Sequence, residues 1–179
     1  NIDIELNNNI DGIICALYPI ALYHNIKIVS KYKMSQKLKD NLTQLKNIWN
    51  KNYLDNKITD DLLIIDKNNL SKNNLEKKIN ILSFTNGVDS TNSLSNNMNN
   101  IDYLLNIYGY DCFNKEINNK IINNISIIFN KYSKKLIIVE TNLRNVINKL
   151  FADLSNDKII DDIWGKYIHA ACIFCLIHQ

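Results

Sequence analysis

Seven consecutive residues, Thr85-Asn86-Gly87-Val88-Asp89-Ser90-Thr91, gather hydroxyls, an amide, a carboxylate and a glycine. Such a set suits an anion. The apolar run Ile81-Leu82-Ser83-Phe84 precedes it and an amphipathic stretch around Ser93-Leu94 follows, so the order reads strand, tight loop, helix. The first turn of a helix carries unspent N–H groups and roughly +0.5 of a charge, which together favour phosphate. Asn86 and Gly87 both tolerate positive φ, so the loop can curl into a nest of N–H donors. Ser90 and Thr91 add hydroxyl donors. Asp89 repels bare phosphate, so its presence points to a cation such as Mg²⁺, held through water, or to a polarised loop. The same residue types also make an ordinary helix cap, and spacing alone leaves both readings open.

Two further polar segments follow apolar runs: Tyr108-Gly109-Tyr110-Asp111, and Glu140-Thr141-Asn142-Leu143-Arg144. Gly109 would allow close backbone approach to a ligand, or serve as a turn glycine. Thr141, Asn142 and Arg144 would line a site, with Arg144 facing a phosphate or substrate acid, or lying in a surface ion pair. His169 lies in an apolar helix, where a satisfied core histidine is the usual case and a catalytic base the sharper one.

Elements must bring these groups together. Ile2 and Ile4 alternate with polar residues over Asn1 to Glu5, as in a half-buried strand. Ile13 to Tyr23 is apolar enough for a buried helix, with Pro19 expected to kink it or mark a turn. Ile26 to Val29 reads as a strand. Ser35 caps a helix reaching about Asn50, whose Leu38, Leu42, Leu45 and Trp49 form one apolar face. Leu62 to Ile65 is another strand, and Lys67 to Lys78 a polar loop. After the central loop come a strand over Ile101 to Ile107 and a helix over Glu116 to Lys131, with Ile117, Ile121, Ile122, Ile125 and Ile128 at helical spacing. A near-continuous apolar strand spans Leu136 to Val139, and a helix runs from Asn145 to Leu154. Asp157 to Asp162 reads as an acidic loop, and Trp164 to Gln179 as a last apolar helix. Alternating strands and helices predict an α/β fold: a Rossmann-like parallel sheet with flanking helices, plus a small N-terminal α/β subregion. Residues 1–75 would form that subregion and 76–179 the nucleotide-binding unit. Ligands of such sheets lie at the carboxyl ends of the strands, where all three polar segments fall.

Composition narrows the partners. The chain has 179 residues, enough for a sizeable core, and 46% of them are apolar. A net charge of +3 with scattered lysines does not call for nucleic acid. Cys15, Cys112, Cys172 and Cys175 sit without a secretory signal, so reduced thiols in a cytoplasmic protein are expected. Cys172-x-x-Cys175 lacks a second pair to complete a zinc site, and buried core thiols are the simpler reading. No apolar run approaches about 18 residues, so no membrane span is expected.

The central loop resembles the PP-loop of the ATP pyrophosphatases, Ser-Gly-Gly-x-Asp-Ser after an apolar-Ser-Phe strand. Thr85 stands for the first Ser and Asn86 for the first Gly. Nearly the whole chain is similar to a PP-loop subfamily related to the 7-cyano-7-deazaguanine (queuosine precursor) synthases. That subfamily's Asp-Gly helix, Leu-x-Pro segment and Val-Ser-x-x-Leu-x-x-Asn-Leu helix correspond to Asp11-Gly12, Leu17-Tyr18-Pro19 and Ser35 to Leu42. Its His-Gly-Phe-Asp turn corresponds to Tyr108–Asp111, its Glu-Thr-Asn-Leu-Arg segment stands at Glu140 to Arg144, and its Trp-x-x-Tyr-His-Gly-Ala-Ala helix is similar to Trp164 to Ala171.

The resemblance implies a HUP-type, adenine nucleotide alpha-hydrolase-like sheet. It implies cleavage of ATP to AMP and pyrophosphate, with Mg²⁺, to adenylate a small-molecule acceptor. Thr85, Asn86, Gly87, Val88, Ser90, Thr91 and Gly109 would bind the nucleotide. Asp89 and Ser90 would act in catalysis, and Thr141, Asn142, Arg144 and His169 would face substrate or phosphate. Family members extend further and carry a zinc-binding cysteine cluster beyond this point, so a fragment or a shortened descendant is expected. The alternative is a nucleotide-binding or scaffold protein that kept the fold and lost the chemistry. A homodimer is compatible with either reading.

Overall fold

Two apolar helices and a set of short parallel strands follow from the spacing of the isoleucines and leucines. The computed structural model describes residues 9–55, 57–72, 79–110, 112–154, 165 and 168–177. Contacts divide the chain into two units, Asn1–Asn74 with Asn145–Gln179, and Leu75–Arg144. Composition alone places 76–179 together; the contacts group 145–179 with the N-terminal unit instead.

The first unit begins with α1, Asp11–His24. Ile14, Tyr18 and Leu22 recur every four residues and enter the core. Pro19 lies inside this continuous helix and neither ends it nor marks a turn. The missing Pro19 N–H is the one that the Cys15 carbonyl would have accepted. β1 (Ile28–Ser30) pairs in parallel with β3 (Leu63–Ile65), in the register Ile28↔Leu63 to Ser30↔Ile65. Between them lie β2 (Met34–Ser35) and α2 (Gln36–Tyr53). The hydroxyl oxygen of Ser35 accepts from the Leu38 N–H at 3.2 Å and caps α2 as its sequence position requires. Leu38, Leu42, Leu45 and Trp49 all meet the core.

A short helical turn over Lys67–Asn69 and β4 (Leu70–Ser71) lie where a plain loop is expected, and β4 pairs with β2. Two-residue strands are too short to show alternation, so the sequence carries no sign of them. α5 (Leu143–Leu154) starts two residues before the division between units, and α6 spans His169–Ile177. α6 and α1 pack on each other. Both are apolar nearly all round and need a neighbour rather than water, which explains why the C-terminal helices join the N-terminal unit. The expected strand over 1–5, the acidic loop 157–162, the linker residues 73–78, and Asp111, Trp164, Tyr167 and His178 fall outside the described residues. No described helix is long and apolar enough to cross a membrane.

The second unit runs β5 (Ile81–Ser83), α3 (Val88–Asn97), β6 (Tyr103–Tyr108), α4 (Lys115–Tyr132), β7 (Lys135–Glu140). The strands form one parallel sheet in the order β5-β6-β7. Its register runs Ile81↔Tyr103 to Ser83↔Leu105, and Tyr103↔Lys135 to Tyr108↔Glu140. Phe84, Leu94, Ile101, Leu104 and Ile125 make the core, with Ile121 and Ile128 packed against it. Ile117, expected on the same stripe, is 51% exposed. The central strand buries adjacent residues on both faces, Leu104 at 0% and Leu105 at 3% exposure. β7 reads as equally apolar, yet Ile138 is 50% exposed, because β7 pairs with β6 alone among the described strands.

Candidate functional site

Parallel pairing places the carboxyl ends of β5, β6 and β7 at one edge of their sheet. The loop from Thr85 to Gly87, the turn at Tyr108–Tyr110 and the segment Thr141–Arg144 therefore lie along that edge.

The first loop leaves the sheet at Phe84. The Phe84 N–H donates to the Leu105 carbonyl at 2.8 Å, one residue past the last paired position of β5. Thr85, Asn86, Gly87, Val88 and Asp89 are exposed, and Phe84 beneath them is fully buried. Asn86 takes the left-handed conformation, φ 61°. Gly87 does not; it is extended, φ −81° and ψ 171°, and stands at the N-cap of α3. Only one of the two residues expected to allow positive φ uses that freedom. A Cβ on Gly87 would meet the Thr85 hydroxyl at an ordinary 3.5 Å, so the protein's own packing leaves room for one.

No side chain caps α3. Its first helical bond runs from the Thr91 N–H to the Gly87 carbonyl at 3.0 Å, so the N–H groups of Val88, Asp89 and Ser90 head the helix without an intrahelical acceptor. Asp89 lies in the first turn, where its charge complements the dipole. The Ser90 hydroxyl donates to the Gly87 carbonyl at 3.1 Å. Its proton is thus used within the loop, which leaves the oxygen able to accept but not to donate.

The second and third segments lock together. Gly109 has φ +88°, and a Cβ there would overlap the Thr141 carbonyl. The Thr141 N–H donates to the Tyr108 carbonyl at 3.0 Å. Gly109 thus serves the approach of the β6 and β7 ends to each other, with the backbone of Thr141 on its open side. The Thr141 hydroxyl accepts from the Leu143 N–H at 3.1 Å, and Asn142 is exposed beside it. Arg144 donates to the Tyr110 carbonyl at 2.6 Å, and its guanidinium stands 5.4 Å from the Phe113 ring centroid. It braces the second turn in this structure.

His169 belongs to the other unit, half-buried at the start of α6; the cluster above forms within Leu75–Arg144 alone. Among the described residues no group of three or more His, Cys, Asp or Glu is placed to hold a metal. A single carboxylate supplemented by phosphate oxygens is an ordinary Mg²⁺ arrangement, and Asp89, exposed at the head of α3, fits that description.

One residue of this edge escaped the sequence reading. Asn106 interrupts the apolar run Leu104-Leu105-Asn106-Ile107 and is 3% exposed. Its Nδ2 donates to the Phe84 carbonyl at 3.4 Å. The available signal was a lone amide inside a buried strand.

None of the four cysteines forms a disulfide. Cys15, Cys172 and Cys175 are buried as expected of core cysteines. Burial above all, with Asp11 and Cys175 nearby, pushes the Cys15 thiol from 9.0 up to about 11, and burial raises Cys175. Neither is tuned toward a thiolate nucleophile or ligand.

Compared with known protein families, curated proteins and solved structures, the chain significantly matches none.

Proposed function

We propose that the edge formed by β5, β6 and β7 binds the phosphates of ATP, and that the chain cleaves ATP to AMP and pyrophosphate while adenylating a small-molecule acceptor. The observation that carries this reading is the junction of β5 and α3: a loop with Asn86 at φ 61°, then an uncapped helix head, at the carboxyl end of a parallel sheet. The sequence order β5-β6-β7 is what one arm of a Rossmann-like sheet has, in keeping with the HUP-type fold that the PP-loop resemblance implies.

The chemistry asked of the protein is alignment and charge neutralisation rather than a covalent nucleophile. An acceptor oxygen attacks the α-phosphorus, the bond from that phosphorus to the bridging oxygen breaks, and pyrophosphate departs with the electron pair. The N–H groups of Val88, Asp89 and Ser90 would hold the departing phosphates, with Thr85 and Thr91 adding hydroxyls. Asp89 together with the phosphates would hold Mg²⁺, which when bound neutralises phosphate charge.

A nucleotide binder without turnover is favoured by a different observation. The Ser90 proton and the Arg144 guanidinium both bond to carbonyls of this unit, at Gly87 and Tyr110. Titration calorimetry with Mg·ATP, AMP and pyrophosphate tests the shared premise. Binding heat with ATP and pyrophosphate is expected; no heat and no thermal shift with any of the three would end both readings. Pyrophosphate release then separates them. The enzyme reading expects turnover that falls at least about tenfold in Asp89→Ala, and the binder reading expects none in either protein.

A further inference from the structure

Asn106 occupies a place where its chemistry costs the fold something. It stands in β6 two residues after Leu104, so the two side chains share the face that carries the core of Phe84, Leu94 and Ile125. Leu104 fits that environment. Asn106 brings a carboxamide into it at 3% exposure.

Only half of that carboxamide is satisfied. Nδ2 donates to the Phe84 carbonyl at 3.4 Å. Oδ1 is buried with no hydrogen-bond partner among the described residues. An unpaired buried acceptor destabilises a fold, and an apolar side chain of the same shape would cost less. Stability therefore does not explain why an amide stands here. Its position does suggest a reason. The pairing of β5 with β6 ends at Ser83↔Leu105 and the Phe84 N–H makes one last bond to Leu105. The Phe84 carbonyl is then taken by the Asn106 side chain instead of a backbone N–H. The next residue is Thr85, where the loop begins.

We infer that Asn106 is the positioning residue of the Phe84–Gly87 loop, an inference that rests on the proposed phosphate site. Nδ2 fixes the carbonyl at which the chain turns out of the sheet. Oδ1 is the acceptor for a loop N–H, at Thr85 or Asn86, when an anion draws the loop amides together. Asn106 touches no phosphate; it sets the backbone that does.

Asn106→Leu and Asn106→Asp test this, with inorganic pyrophosphate as the probe. In Asn106→Leu the expected result is unchanged or higher stability in urea, faster hydrogen exchange at the amides of 84–87, and pyrophosphate affinity weaker by about three- to tenfold, the worth of one hydrogen bond. In Asn106→Asp the ratio of variant to wild-type affinity should fall as pH rises and the buried carboxyl ionises beneath the loop. Any carboxylate ionising beneath the loop would repel an anion, so the exchange rates at 84–87 are what separate a positioning role from one that merely fills space. Wild-type affinity and wild-type exchange in Asn106→Leu would overturn the inference; if that variant does not fold, a pH-independent ratio in Asn106→Asp overturns it equally. If the unmodified chain fails to bind pyrophosphate, the phosphate reading falls, while the exchange rates still decide whether Asn106 sets the loop.

Discussion

At the scale of single residues, Asn86, Gly109 and Asp89 at the sheet edge are held in three different ways. Asn86 holds the left-handed turn that a glycine would take at least cost. Asn is among the few side chains that visit this region, so the loop keeps this turn without a glycine at the position. Gly109 is the opposite case, since its hydrogen faces the Thr141 carbonyl and nothing larger fits. Gly109→Ala is expected to lose about 3 kcal/mol of stability, from a strained φ and a backbone clash together. Urea unfolding reads this directly, and a loss below about 0.5 kcal/mol would show that the two strand ends can separate freely. Asp89 is exposed and caps nothing at Gly87, so Asp89→Ala should leave stability within about 0.5 kcal/mol of the parent. That makes it a clean variant for the pyrophosphate-release measurement.

At the scale of elements, helix starts are fixed by side chains reaching across sequence. Ser35 caps α2 through its hydroxyl, and its own N–H donates to Asp11 Oδ1 at 2.8 Å in a buried site. Asp11 is the first residue of α1, so one carboxylate ties the head of α1 to the head of α2. Ser35→Ala should cost about 1 kcal/mol, the usual loss of a cap. Asp11→Ala should cost more, about 2–3 kcal/mol, because it strands the buried Ser35 N–H. Equal losses in thermal or urea unfolding would mean that the Asp11–Ser35 bond contributes nothing beyond the cap. The Leu38 to Trp49 stripe was legible because four side chains at helical spacing report one face. The parallel β2–β4 pair was not, because two residues cannot display a period.

At the scale of the molecule, burial of titratable groups sets a pH limit. Tyr18, on the core face of α1, is pushed from 10.0 to about 12 by burial and by Asp61, and Cys15, three residues earlier in the same helix, rises from 9.0 to about 11. Both protons bind more tightly in the folded chain. Their contribution is fully present below pH 9.0, the ordinary thiol value, and is lost as pH rises through about 11 to 12. Each is worth on the order of 2 kcal/mol. The urea midpoint should therefore hold up to pH 9 and fall above it, and Tyr18→Phe should fall less steeply; a flat midpoint to pH 11 would contradict the burial of both groups. The sequence by itself determined the longer helices and the strands β1, β3, β5, β6 and β7, and that the polar loops follow apolar strands, because periodicity and turn chemistry are local. It also determined that Ser35 begins a helix, since a cap is a contact three residues long. Tertiary structure alone decided that α5 and α6 belong with the N-terminal helices, that Gly109 is closed by Thr141, and that Asn106 lies under the loop with half its amide unpaired. Those are contacts between residues 22 to more than 100 positions apart, and no local pattern encodes which distant surface an apolar face or a buried amide will meet.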